Sequence, residues 1–175
     1  MRRKTIKLLI VFFALAFNSF GQNGFIENGW KGIKPLETNK KTVEKVLGQP
    51  EKTDDNSFQF YSSDDKFVRI NYSTAPCKQN YYGRGDYNVP EDTVLDYYVI
   101  LTKRMKLKDF KFHREKYKRE EDSERLDLIY YKNSDDGIMI TVGVKDGIEY
   151  VGEVRFYPTP KTIEKCECKN NKKDN

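Results

Sequence analysis

Residues 126–157, LDLIYYKNSDDGIMITVGVKDGIEYVGEVRFY, decide the fold. Three runs within them, Leu126–Lys132, Ile138–Val144 and Ile148–Tyr157, follow closely on one another and read as strands, rich in β-branched and aromatic side chains. Between the runs stand Ser134-Asp135-Asp136-Gly137 and Lys145-Asp146-Gly147. Asp-Gly suits the backbone twist of a tight hairpin, so the stretch predicts a three-stranded antiparallel meander.

The same grammar extends toward the N-terminus. Asn56–Ser62 and Lys66–Ser73 alternate around the turn residues Ser63-Asp64-Asp65, which predicts a hairpin. Residues 75–92 hold Pro76, Gly83, Gly85 and Pro90 and read as irregular. Thr93–Leu101 is apolar on both faces, as a strand in the middle of a covered sheet would be. A helix is expected over Lys40–Leu47, capped by Thr38, with Val43, Val46 and Leu47 as its apolar stripe and Gly48 and Pro50 ending it. A shorter helical turn is expected around Leu107–Phe110. The predicted class is α+β: a mainly antiparallel sheet of five to seven strands with one or two short helices on one face. At a shift of 71 residues Ser63-Asp64-Asp65 falls over Ser134-Asp135-Asp136 and Leu36 over Leu107, so a helical turn followed by a hairpin occurs twice.

Charge separates targeting from the domain. Of the 175 residues, the first 21 carry Arg2, Arg3, Lys4 and Lys7 with no acidic group, ahead of the apolar run Leu8–Phe17. Ser19 and Gly21 then offer small side chains before a cut at Gln22, the pattern of a secretory signal peptide over residues 1–21. The rest holds 28 of the 32 basic residues and all 27 acidic ones, which removes the basic excess a nucleic-acid binder needs. A mean hydropathy of −0.82 and no second long apolar stretch leave no transmembrane span after cleavage. Residues 22–168 read as a single domain, and residues 169–175 as a disordered basic tail.

The three cysteines fit an oxidising compartment with one left over. Cys166 and Cys168 are too close in sequence to bridge each other without strain, so the expected disulfide joins Cys77 to one of them. Cys-x-Cys plus a distant Cys, with His113 as the only histidine, lacks the spacing of a zinc module. No metal or cofactor is therefore expected. Asp54-Asp55, Asp64-Asp65, Asp135-Asp136 and Glu120-Glu121-Asp122 read as turn caps and solvated tips rather than as acid–base pairs. His113 sits in the basic run Lys111–Arg114 and reads as exposed, so no catalytic residue is assigned. Trp30, between glycines, is expected to pin the N-terminal segment to the core. The candidate binding element is the loop containing Tyr81, Tyr82, Arg84 and Tyr87, which can present flat aromatic surface to a partner.

Four runs support a comparison: Gly29–Leu36, Thr42–Pro50, Asn88–Val94 and Phe156-Tyr157-Pro158 near a cysteine. Together they resemble an uncharacterised family of secreted bacterial proteins over most of residues 22–175. The helix ending Leu47-Gly48-Gln49-Pro50 is also similar to the start of the small outer-membrane-assembly lipoproteins (SmpA/OmlA, or BamE). That resemblance implies a short helical element packed on an antiparallel sheet, a plan seen in tandem in β-lactamase-inhibitor-like proteins. The present chain lacks the lipid-bearing cysteine after its apolar run. Neither resemblance supplies a catalytic residue.

The sequence thus predicts an exported, periplasmic or extracellular, non-catalytic binding module of the cell envelope, whose partner is an envelope protein or surface polymer. An envelope enzyme or enzyme inhibitor is the alternative. Intact-mass analysis of exported protein should give a chain beginning at Gln22; exported material retaining residues 1–21 would overturn the cleavage reading.

Overall fold

Asp146-Gly147 forms a two-residue connection: Lys145 pairs directly with Ile148, and both turn residues have left-handed φ, 54° and 72°. This is the backbone that Asp-Gly accommodates and that a right-twisted hairpin requires. The computed structural model describes residues 29–54, 57–78 and 86–168. The expected signal peptide, the tail, and Tyr81, Tyr82 and Arg84 lie outside them.

The described strands are β1 (Lys52–Thr53), β2 (Phe58–Ser63), β3 (Lys66–Tyr72), β4 (Val94–Lys106), β5 (Lys118–Glu121), β6 (Leu128–Asn133), β7 (Ile138–Lys145) and β8 (Ile148–Phe156). They form one antiparallel sheet in the order β1-β2-β3-β4-β8-β7-β6-β5. Two four-stranded meanders therefore meet last strand to last strand, at β4 and β8. The Ser-Asp-Asp turns of the 71-residue echo occupy equivalent places, between β2 and β3 and between β6 and β7. Eight strands exceed the five to seven expected. The surplus comes from β1, only two residues long, and from β5, whose Lys-Arg-Glu-Glu has no apolar residue to mark it.

One face of the sheet is closed. Across the strands, Tyr61, Val68, Val99, Val154, Ile140 and Tyr131 stand side by side in register, each no more than 5% exposed. The helix α1 (Lys40–Leu47) lays Val43 on this face, with Leu47 partly buried, while Val46 is 40% exposed and falls outside the expected stripe. Beneath α1 the Tyr61 hydroxyl donates to Gln59 Oε1 at 2.6 Å, and Gln59 Nε2 donates to Glu44 Oε1 at 3.2 Å. Asn39, not Thr38, caps α1 by accepting from the Thr42 amide. Thr38 instead uses its hydroxyl to accept from the Lys34 amide, and its carbonyl accepts from the Val94 amide. The second helix, α2 (Pro160–Cys166), starts with Thr159 as N-cap and Pro160 in its first turn. Its Cys166 packs on a smaller cluster of Leu36, Val89 and Leu95.

Trp30 is buried in the main core, and Tyr97 holds its segment there. The Tyr97 hydroxyl accepts from the Trp30 amide and donates to the Ile33 carbonyl, both at 2.9 Å. Burial pushes this phenol far above its ordinary pKa, so it remains a donor at every physiological pH. On its other side the ring stacks on Phe156 at 4.5 Å. Tyr97→Phe keeps the stack but strands two buried backbone groups. It should cost about 1–3 kcal/mol of unfolding free energy. Chemical denaturation checks this, and a cost under half a kcal/mol would refute the anchoring role.

Candidate binding face

The second face of the sheet uses the opposite side chains of the same strands. Its central row, again in register, reads Phe60, Arg69, Tyr98, Arg155, Met139, Lys132 and Lys118. The next row reads Ser62, Phe67, Ile100, Glu153, Thr141, Tyr130 and Glu120. Most of these side chains are half-buried, unlike the sealed row behind them. Aromatic rings and cations dominate, the composition in which interface anchors are enriched.

Tyr98 lies between two guanidinium groups. Arg69 stands over its ring at 4.4 Å and Arg155 at 5.1 Å. Arg69 also lies over Phe58 at 5.6 Å, and Arg155 over Tyr157 at 5.8 Å. Such contacts hold a planar cation against a ring face while leaving its N–H edge for other partners. Arg155 uses that edge on the buried Asp96, Nη2 to Oδ2 at 2.7 Å. Toward the sheet edge, Phe60 and Phe67 stack at 5.7 Å. At the far side Lys132 and Lys118 converge on Glu120 and hold its carboxyl below the usual range, Lys132 contributing most.

Of the predicted binding loop, Tyr87 lies within the described residues. Burial raises its phenol pKa; the Asp96 charge raises it further, while Arg155 pulls the other way. Its backbone is fastened twice: the Cys77 amide donates to the Tyr87 carbonyl at 2.8 Å, and Tyr87 forms a bridge with Glu167. A disulfide joins Cys77 to Cys168, 91 residues away, with Cα atoms 5.6 Å apart. Cys166 is a free thiol, and its carbonyl accepts from the Asn88 amide at 2.6 Å. The disulfide ties Cys77, and the backbone bridge ties Tyr87, to the residues just after α2. The expected bridge from Cys77 is present, to Cys168. Arg69, Tyr98 and Arg155 carried no signal in the sequence, because they come together only through register.

The acidic pairs are occupied elsewhere. Asp54 accepts from the Phe58 amide, Asp65 pairs with Lys66, and Asp136 bonds Asn133. Asp122 accepts from the Tyr130 hydroxyl and from the Glu124 and Arg125 amides. His113 is exposed and contacts Glu115 at 3.2 Å. Among the described residues no cluster of metal-ligating side chains occurs, and no helix is long and apolar enough to cross a membrane.

No family model matches the chain, and no curated protein matches it. Among solved structures, a DUF4309 family protein (YjgB) from Bacillus subtilis subsp. subtilis str. 168 is similar. The TM-score is 0.46 at 12% identity, over 74% of this chain and 84% of that one. That family is itself uncharacterised.

The disulfide closes a loop whose opening frees much of the unfolded chain. Cys77→Ser should lower stability by about 4 kcal/mol, whereas Cys166→Ala should cost about 1 kcal/mol or less. Denaturation of the two variants without reductant measures both, and equal losses would refute the assignment of Cys166 as the free thiol.

Proposed function

We propose that the chain is an exported, non-catalytic binding module of the cell envelope and that it binds through the open face of its sheet together with the tyrosine loop. One observation carries the reading: Phe60, Arg69 and Arg155, in one cross-strand row with the buried Tyr98, are half-buried and chemically rich, although the opposite face already supplies the core. A sheet that needed only to fold would present solvated polar side chains there. Export is supported by the basic and apolar pattern of residues 1–21 and by a bridge of the type that oxidising compartments maintain. The partner is an envelope protein or surface polymer, outside the cytoplasm.

A photo-reactive residue placed in the native host tests this directly. At Phe67 or Thr141, on the open face, it should yield one adduct of defined mass; at Leu126, 91% exposed away from the two rows, it should not. Phe60→Ser should cut the Thr141 adduct roughly tenfold while cooperative unfolding persists, as truncating an interface anchor does. Adducts from Leu126 alone, or none from any position, would overturn the proposal.

A further inference from the structure

The two guanidinium groups that flank Tyr98 are unequal. Arg155 has a carboxylate of its own, Asp96 at 2.7 Å. Arg69 has ring faces against it, Phe58 and Tyr98, and no ion pair among the described residues. Its Nε is buried from solvent and has no acceptor among the described residues. A half-buried arginine held flat by rings, with no ion pair among the described residues to occupy its fork, is preorganised for a planar oxyanion. Arg155 also leaves Nε unpaired, but its outer edge is committed to Asp96.

The surroundings narrow the class of ligand. In register beside Arg69 is Phe60, and in the adjoining row are Phe67 and Ile100, all partly exposed. They offer ring and aliphatic surface next to the cation, with Ser62 the hydroxyl at that end of the row. A sugar ring would call for convergent hydroxyl and amide groups, whereas a peptide can bring an apolar side chain for the ring surface and an acid for the fork.

The geometry points to Arg69 as the anchor for a carboxylate side chain of a protein partner, an Asp or Glu flanked by apolar residues, docked between Tyr98 and the Phe60–Phe67 stack. This rests on the open face being the binding surface and adds which residue selects the partner and by what chemistry.

The test follows the Arg69 Nε–Hε resonance of the purified chain by NMR during titration with acetyl-Phe-Glu-Phe-amide and with its Gln counterpart. The Glu peptide should move the Arg69 resonance together with ring protons of Phe60, Phe67 and Tyr98. The Gln peptide should bind about tenfold more weakly, since a charge-assisted pair is replaced by a neutral one. Arg69→Gln should abolish the difference between the peptides. Arg69→Lys, which keeps the charge and loses the fork, should bind the Glu peptide more weakly than the native chain. Equal affinities for the two peptides, or an unmoved Arg69 resonance at millimolar peptide, would overturn the assignment. Tighter binding of an oligogalacturonate at the same resonances would overturn the protein partner in favour of an acidic glycan. Self-association lost in Arg69→Gln would instead make the occupant a second copy, which also overturns an outside partner. The two proposals fail separately: a host adduct at Phe67 that persists undiminished in Arg69→Gln sinks the anchor and leaves the binding face standing, whereas loss of every open-face adduct removes the face itself.

Discussion

The pairing of β4 with β8 is the constraint on which the rest of the molecule depends. Every other strand pair in the sheet joins neighbours in the chain. Only this seam brings together segments about sixty residues apart, setting Tyr97 against Phe156, Tyr98 against Arg155 and Val99 against Val154. On the closed side it yields the Tyr97–Phe156 stack and buries two valines completely. On the open side the same register lays Arg155 against Tyr98 and within reach of Asp96. One slip of a residue would exchange the two sets of side chains, sending valines to solvent and an arginine into the core. Core and candidate site are therefore specified by a single alignment, and neither can drift without the other.

Around that seam each half is local and self-consistent. The Asp146-Gly147 turn fixes β7 on β8, and Asp64-Asp65 fixes β2 on β3. Gly137 serves the longer β6–β7 turn at φ 66°, where a Cβ would lie 2.1 Å from the Tyr157 carbonyl oxygen, so no other residue fits without displacing β8's exit. The segment around Trp30 then closes over the seam through the Tyr97 hydroxyl, and the disulfide fastens Cys77 to the chain just after α2. The fold is two hairpin-built halves, one long-range junction, and two clasps.

That division explains what could be read from the sequence. The hairpins were legible because their signals, alternation and turn chemistry, are local. So was the central position of β4, whose Val94–Ile100 stretch is apolar on both sides except at Asp96. β5 was not, because Lys118–Glu121 lies at an edge and gains nothing from apolar residues. α2 carried a readable start in Thr159-Pro160, but its few residues show no apolar stripe, and the meander before it drew the boundary. The cap of α1 moved one position because Thr38 is spent on the preceding turn. For the site, a tyrosine-rich loop stands out in any reading, whereas Arg69 and Arg155 are ordinary residues in alternating strands. They become neighbours of Tyr98 only when β3, β4 and β8 are aligned, and no spacing within the chain encodes that.

The two ends of the sheet carry a last consequence. β1 offers two residues of backbone, and β5 is made wholly of charged ones. Short or charged borders are poor templates for another chain to hydrogen-bond alongside. Recruitment by adding a strand is thereby discouraged at both limits, and so is runaway edge-to-edge stacking of copies. The described borders of the sheet thus favour the flat of the hand over the fingers: side chains standing on a face, where identity and charge can be read, rather than main-chain pairing, which reads neither.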